Sequence, residues 1–386
     1  MNHPGATGSL AGPNVGMIGR AGSRHLLATP CLVLDLDALE HNVAALAAHA
    51  REHGYALRPV AKIHKSVAIA RLQLAAGALG QSCATLTEAE VMVDAGIRGV
   101  LLFSSVVSRA KLERLVALNA RADGLLVAVD DAANVAAMAA LNPPGAPPLQ
   151  LLVDCEVGGG RTGVADPAAA VALARHIAAT AGVTCAGIQV YCGRIQQIAA
   201  HAARQAAARE VATRAQAYVD ALCGAGLPPA IVSGGGTGTY AIDAAFGVQT
   251  ECQAGSYVFM DANYLDVELE PGGPPRFRPA LFVRTTVISA AQAGFCITDA
   301  GRKEFARDGL APRPWSGAPA GARYSIVGDD LGRIDFAAPG QALPLGATVE
   351  CLTPHAYATL NLYPVYHCVR GDTLVDIWPI DARLNW

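Results

Sequence analysis

Lys62 stands near the end of the run Arg58-Pro59-Val60-Ala61-Lys62-Ile63-His64-Lys65, behind a short apolar stretch. A lysine held at an apolar strand end loses hydration, which lowers its pKa and makes its amine a better nucleophile toward a carbonyl. Alone, such a residue reads as a solvated strand end, and partners decide the matter. In Ser233-Gly234-Gly235-Gly236-Thr237-Gly238-Thr239, three successive glycines follow an apolar strand. Their N–H groups can turn toward a phosphate and the Thr hydroxyls add donors. No Lys follows the glycines, so this is not a Walker A loop. Gly158-Gly159-Gly160-Arg161-Thr162-Gly163-Val164 offers one guanidinium for an anion or a ring oxygen. In Tyr191-Cys192-Gly193-Arg194, Tyr191 closes a strand, where a ligand contact is favoured over a core role.

Something must bring these four clusters together. Strand-like runs at Cys31–Leu36, Leu57–Lys62, Gln81–Ala84, Gly99–Phe103, Leu125–Val129, Leu149–Val153, Val183–Tyr191, Ala230–Ser233 and around Thr250–Tyr257 alternate with helical runs. Asp37, Thr87 and Ser108 are candidate helix caps, and Gly54, Gly77 and Gly96 close helices. The alternation predicts a parallel sheet with crossover helices. About eight units fit between Leu57 and residue 262, which suits an α/β fold of the (β/α)8 TIM-like barrel type. A doubly wound open sheet is the runner-up. In a barrel the C-terminal strand ends carry the active site, and the loop after the seventh strand, here the glycine cluster, is a frequent phosphate site.

Past Asp261 the texture changes. A Gly/Pro-rich joint at Pro271–Pro279 precedes β-like stretches at Ala280–Ile288, Gly294–Thr298, Thr348–Leu352, Tyr363–Val369 and Leu374–Ile377. A second, smaller, mostly antiparallel β domain is expected. The expected division is a loose tail over residues 1–28, a barrel over 29–265 and the β domain over 266–386, with the strand at 31–36 a candidate for the β domain.

Hydrophobic residues make up 52% of the 386 and charged residues 16%, ample for folded cores. The formal net charge of −3, without a long basic stretch, argues against a nucleic-acid partner. The most apolar helical run, 168–183, is interrupted by Arg175 and His176, so no membrane span is expected. The N-terminus lacks the apolar core of a signal peptide. Ten cysteines are scattered without a CxxC pair. Reduced thiols and a cytoplasmic location are the expectation.

Taken in order, Arg58–Lys65, Gly160-Arg-Thr-Gly163, Gly187-Ile-Gln-Val-Tyr-Cys-Gly193, Ser233-Gly-Gly-Gly-Thr-Gly-Thr-Tyr240 and Glu251-Cys-Gln-Ala-Gly-Ser-Tyr-Val-Phe-Met-Asp261 resemble the motifs of the D-threonine aldolase and D-serine dehydratase family. These are fold-type III pyridoxal 5′-phosphate (PLP) enzymes, related to the N-terminal barrel of alanine racemase. The resemblance runs from about Thr29 to Trp386. It implies that Lys62 carries PLP as a Schiff base and that Gly235, Gly236 and Thr237 bind its phosphate. It places Arg161 and Tyr191 beside the ring, and Ser256 and Tyr257 toward the phosphate. It also implies a homodimer in which the β domain of one chain completes the other's active site.

The chain departs from the family pattern at three polar positions. The family's divalent metal is held by a His followed two residues later by Asp or Cys, whereas here His355 is followed by Tyr357. Neutral phenol, with a reference pKa of about 10, is a poor ligand for Zn²⁺ or Mn²⁺. Val60 and Cys192 stand where the family has His. The expectation is a site without metal, in which His355 or Tyr357 serves as acid or base and Cys192 is a further catalytic candidate. The competing readings are a weak metal site retained on His355, and a pocket reshaped for another substrate.

The resemblance implies aldol cleavage of a D-3-hydroxy-α-amino acid of the D-threonine or D-phenylserine kind, giving glycine or another small amino acid plus an aldehyde. Dehydration to a 2-oxo acid and ammonia ranks second and racemisation third, the last needing a base such as Tyr324, Tyr357 or Tyr363. Transfer between aldehydes and a non-catalytic PLP carrier are the remaining alternatives. From the residues alone, only PLP chemistry at Cα is supported.

Overall fold

The structure, a computed structural model, describes residues 12–272, 275–306 and 309–383. They form two compact units that interleave along the chain. The barrel unit comprises Val43–Gly255 and Val267–Pro275. The β unit comprises the chain up to Asn42, Ser256–Asp266 and Arg276–Arg383. The sequence places one boundary near residue 265; the chain instead crosses between units several times.

The first part of the chain runs β1 (Cys31–Asp35), α1 (Leu36–His53), β2 (Ala56–Leu57), α2 (Val67–Ala75), β3 (Ser82–Cys83), α3 (Leu86–Asp94), β4 (Leu101–Leu102), α4 (Arg109–Asn119) and β5 (Leu126–Val129). It continues through α5 (Ala132–Leu141), β6 (Leu149–Asp154), α6 (Pro167–Ala179), β7 (Val183–Val190), α7 (His201–Gly224), β8 (Ile231–Gly234), α8 (Tyr240–Phe246) and β9 (Glu251–Cys252). Strands β2 to β9 make one parallel sheet in the order β2-β9-β8-β7-β6-β5-β4-β3. A parallel bridge between Val60 and Ser82 joins its two end strands. The sheet therefore closes as a (β/α)8 barrel, and the open-sheet alternative falls. β8 is the seventh barrel strand, as counted from the sequence.

Strand alternation sorts the barrel side chains. Leu102, Val127, Leu151, Val153, Ile188 and Val190 face outward into one core with helix residues such as Leu115, Val135, Met138 and Ile177. Leu101, Leu126 and Leu152 pack together with Phe103, Ala186 and Ile231 as a separate inner cluster. Above that apolar floor the inward positions are polar: Arg58, Asp154, Gln189, Ser233, Glu251 and Gln253 are all buried.

Local signals shift slightly from expectation. The cap of α1 is Asp35, whose Oδ1 accepts from Ala38 N at 3.1 Å, and not Asp37. The cap of α3 is Thr85, not Thr87, because only Thr85 can form the reciprocal capping box with Glu88. Gly54, Gly77 and Gly96 do adopt positive φ.

In the β unit, α9 (Ala262–Leu265) precedes β10 (Leu281–Ser289), β11 (Phe295–Thr298), β12 (Arg313–Ser316), β13 (Arg323–Ile326), β14 (Gly332–Asp335) and β15 (Thr348–Leu352). Then follow α10 (Ala356–Thr359), β16 (Val365–Arg370) and β17 (Thr373–Pro379). β1 enters this sheet between β10 and β16, pairing antiparallel with the former and parallel with the latter. The other pairs are antiparallel. Leu27, Cys31, Val33, Phe282, Leu352, Val369 and Leu374 form a core here.

The loose tail expected over residues 1–28 is in part ordered. Residues 1–11 lie outside the described residues, but 12–17 and 23–26 form 3₁₀ turns. Buried Asn14 accepts from Ala28 N at 2.8 Å and lies 2.9 Å from His367 Nε2. Among the described residues, no helix is long and apolar enough to cross a membrane.

Candidate active site

Lys62 does not end a strand, as the sequence suggests. β2 stops at Leu57, and Lys62 occupies a 3₁₀ turn, Ala61–Ile63, just past the Val60 bridge. Arg58 fixes the approach to that turn. Its Nε and Nη2 bond both Glu251 oxygens at 2.9 and 2.8 Å, and Nη1 bonds Gly99 O. After the turn, His64 Nδ1 accepts from Ser66 N at 3.0 Å, and Lys65 adopts φ 51°. The Lys62 amine is held below its ordinary pKa, chiefly by burial. Glu88 opposes that shift, and Arg161 and Lys65 add to it. Lys65 Nζ lies 3.8 Å from Glu88, both nearly inaccessible, and Lys65 is lowered and Glu88 raised, each mainly by burial.

Phe103, past the end of β4, places its ring centroid 6.0 Å from Lys62 Nζ. The Arg161 guanidinium sits 5.4 Å from the Tyr191 ring centre. Lys62, Arg161, Tyr191 and Phe103 thus gather at the C-terminal ends of the barrel strands, where barrel enzymes keep their chemistry. A cavity of about 320 Å³ is lined by Asp154, Glu156, Arg161, Thr162, Tyr191 and Arg194, among others. Cys192 is buried and lines a neighbouring cavity of about 600 Å³ with Ile195, Val211 and Arg214.

The glycine loop follows β8. Gly235 has φ 68°, and a Cβ there would come within 2.7 Å of Gln249 Oε1 and 2.9 Å of Asp243 Oδ2. A Cβ on Gly236 would meet Gln196 Oε1 at 2.5 Å. Gln196 stitches the Tyr191 segment to this loop: Oε1 accepts from Gly238 N at 2.9 Å, and Nε2 donates to Thr239 Oγ1 at 3.0 Å. Such a bare-backbone turn past a strand end fits a phosphate group.

Ser256, Tyr257, His355 and Tyr357 belong to the β unit. Ser256 and Tyr257 begin a 3₁₀ turn, and Tyr257 is buried against Phe277, with centroids 5.6 Å apart. The His355 and Tyr357 rings meet edge-on at 4.0 Å. Beside them, buried Asp261 accepts from Ala356 N at 3.0 Å through Oδ2. Burial pushes this carboxyl up to about 6, against the opposing pull of Ala356 N–H and His355. Tyr324 and Tyr363 are buried, donate to Ala300 O and Glu304 O, and have pKa values raised by burial, which suits neither to proton abstraction.

A domain model described as alanine racemase, N-terminal domain, matches residues 34–263, and one described as a putative serine dehydratase domain matches residues 280–369. A D-threonine aldolase from Arthrobacter sp is 39% identical over 355 residues, 92% of each chain. This chain belongs to the D-threonine aldolase and D-serine dehydratase-like family. It is a PLP-dependent enzyme of lyase type. Among solved structures, the D-threonine aldolase from Filomicrobium marinum superposes with a TM-score of 0.87 at 38% identity, covering 92% of this chain and 95% of that one. A D-threo-3-hydroxyaspartate dehydratase from Delftia sp. (strain HT23) is 31% identical over 374 residues, 91% of this chain and 97% of the relative.

The barrel unit fits the family's cofactor: a lysine with a lowered pKa and a glycine cradle that leaves no room for a Cβ both lie just past its strands. The family's metal fits less well. His355 is followed at the second position by a phenol, a poor donor for a divalent ion. Sequence reading missed Phe103, Gln196 and the polar layer of Asp154, Gln189, Ser233, Glu251 and Gln253. The one sequence signal of that layer is a polar residue at inward positions of otherwise apolar strands.

Proposed function

We propose that this enzyme cleaves a D-3-hydroxy-α-amino acid to a small amino acid and an aldehyde, without a metal. The observation that carries the reading is the 39% identity to a D-threonine aldolase across 92% of both chains, against 31% to the dehydratase. In this reading Lys62 anchors PLP, Gly235, Gly236 and Thr237 cradle its phosphate, and Arg161 and Tyr191 flank its ring. Ser256 and Tyr257 serve the phosphate end. PLP, when bound, draws electron density away from Cα so that a bond to it can break. His355 takes the β-hydroxyl proton as the Cα–Cβ bond breaks and the aldehyde leaves, and Tyr357 packs against His355 to orient it. Cys192 shapes the wall of the adjoining cavity. The assembly is a homodimer in which the β unit of one chain completes the active site of the other. We place it in the cytoplasm, because ten scattered cysteines suit a reducing compartment.

The second reading is dehydration of the same substrate class to a 2-oxo acid and ammonia, favoured by the Delftia relative. One assay separates the two. Purified protein with added PLP is given a panel of D-3-hydroxy amino acids, with and without EDTA, and aldehyde and 2-oxo acid are measured. Aldehyde release that persists in EDTA is expected. A 2-oxo acid as the main product would make the enzyme a dehydratase, and loss of aldehyde in EDTA, restored by a divalent ion, would overturn the metal-free site.

A further inference from the structure

We infer that Asp154 is a positioning residue for the cofactor: through Thr162 it fixes the loop that carries Arg161, and its carboxylate balances the Arg161 charge beside Lys62. This rests on the placement of PLP on Lys62 with Arg161 at its ring. Asp154 ends β6, faces inward and is 5% exposed. Oδ2 accepts from the Thr162 hydroxyl at 2.6 Å, and Oδ1 accepts from Gln189 Nε2 at 2.9 Å. Asp154 and Thr162 both line the 320 Å³ cavity that Arg161 and Tyr191 share.

The loop is tied down on either side of Arg161. Gly158 and Gly160 N–H groups donate to the Glu156 carboxylate, and Gly163 N donates to Asp130 at 3.0 Å. Cys155 and Val164 form a parallel bridge, and the Tyr218 hydroxyl bonds Glu156 O at 3.1 Å and Val164 O at 2.9 Å. Of these ties, only the one to Asp154 reaches the barrel interior from the residue next to Arg161. From Asp154 the bonding continues inward. Gln253 Nε2 donates to Gln189 Oε1 at 3.4 Å and to Ser233 Oγ at 2.8 Å, Ser233 donates to Glu251 at 2.6 Å, and Glu251 holds Arg58. A single chain of hydrogen bonds thus runs across the barrel from the segment that presents Lys62 to the loop that presents Arg161. Between the two carboxylates of this chain, Glu251 and Asp154, which can only accept, lie neutral amides and a hydroxyl, so the directions of the bonds are fixed.

The charged neighbours of Lys62 are Glu88, Arg161 and Lys65. Arg161 also acts on the Asp154 carboxyl, so removing that carboxylate leaves the Arg161 charge beside Lys62 without its counterpart. The prediction therefore separates geometry from charge. Thr162 is exposed, so Thr162→Val removes the hydroxyl tie without disturbing a core. Its PLP dissociation constant should rise about five- to tenfold, and Thr162→Ser should restore it. Asp154→Asn should weaken PLP comparably and also move the pH at which the Lys62-linked chromophore loses its proton downward, a shift absent in Thr162→Val.

The experiment measures PLP affinity by fluorescence, the pH dependence of the bound absorbance, and the melting temperature of the apoprotein, in wild type and the three variants. Weakened PLP binding in Thr162→Val with an unchanged apoprotein melt, rescue by serine, and a pH shift confined to Asp154→Asn are the expected results. Wild-type affinity in Thr162→Val overturns the inference, as does an equal pH shift in Thr162→Val and Asp154→Asn. Lys62→Ala runs alongside. If it binds PLP with wild-type affinity and absorbance, the placement on Lys62 is wrong, and the inference falls for that separate reason.

Discussion

Acidification should unfold this protein through His64, two residues beyond Lys62. His64 is fully buried, and its Nδ1 accepts the Ser66 N–H at 3.0 Å, so the folded ring is neutral and carries any proton on Nε2. A second proton would set N–H against N–H. Burial pushes its pKa down from 6.5 to about 4, with bonding to Gln81 and Gln73 opposing. Above pH 6.5 neither state is charged. As the pH falls through 6.5, the unfolded chain takes up a proton that the folded chain refuses, and stability drops until the folded ring titrates near 4. The full span is about 3 kcal/mol, of which about 2 kcal/mol is lost by pH 5. Asp243 and Asp261, raised to about 7 and 6 mainly by burial, act with the opposite sign, because the folded chain binds their protons more tightly. Comparing wild type with His64→Gln cancels them, and glutamine keeps an acceptor for Ser66. The assay is urea unfolding of the apoprotein at pH 7.5, 6 and 5. Between pH 7.5 and 5, wild type should lose about 2 kcal/mol more than the variant. Parallel loss in the two proteins would refute the reasoning.

The remaining predictions concern the two ends of the barrel mouth. Glu251→Gln leaves the buried Arg58 charge with only neutral partners, and should cost about 3–5 kcal/mol in urea unfolding. Replacing Arg58 and Glu251 together by Met should cost less than the sum of the single changes, and strict additivity in that cycle would count against a coupled pair. Gly235→Ala meets both a positive φ and close side-chain oxygens, at about 1–2 kcal/mol for the backbone alone. It should weaken PLP binding roughly tenfold, and unchanged affinity by fluorescence titration would mean that the loop does not cradle the phosphate.

The barrel was legible because its signals are local. Apolar runs such as Leu149–Val153, preceded by a proline-rich turn, mark strands without reference to anything distant. The glycine loop was legible for the same reason: three adjacent residues carry the whole backbone requirement. Four barrel strands, β2, β3, β4 and β9, span only two residues each, so apolar runs overstate them, and the run that ends at Lys62 extends past its strand into the turn beyond. The polar layer was not legible. Asp154, Gln189, Ser233, Glu251 and Gln253 come from four different strand segments separated by tens of residues, and each alone looks like a polar interruption in an apolar run. Their meaning appears only when barrel closure brings Arg58 against Glu251 and Gln189 against Asp154. A buried carboxylate is costly unless donors surround it. Glu251 meets a guanidinium and a hydroxyl, and Asp154 meets an amide and a hydroxyl. The apolar floor of Leu101, Leu126 and Leu152 packs inside the strands, while the polar layer above it links Arg58, before the Lys62 turn, to Thr162, beside Arg161. The residues proposed to hold the cofactor therefore lie in contiguous motifs, whereas the polar residues bonded between them are brought together by topology.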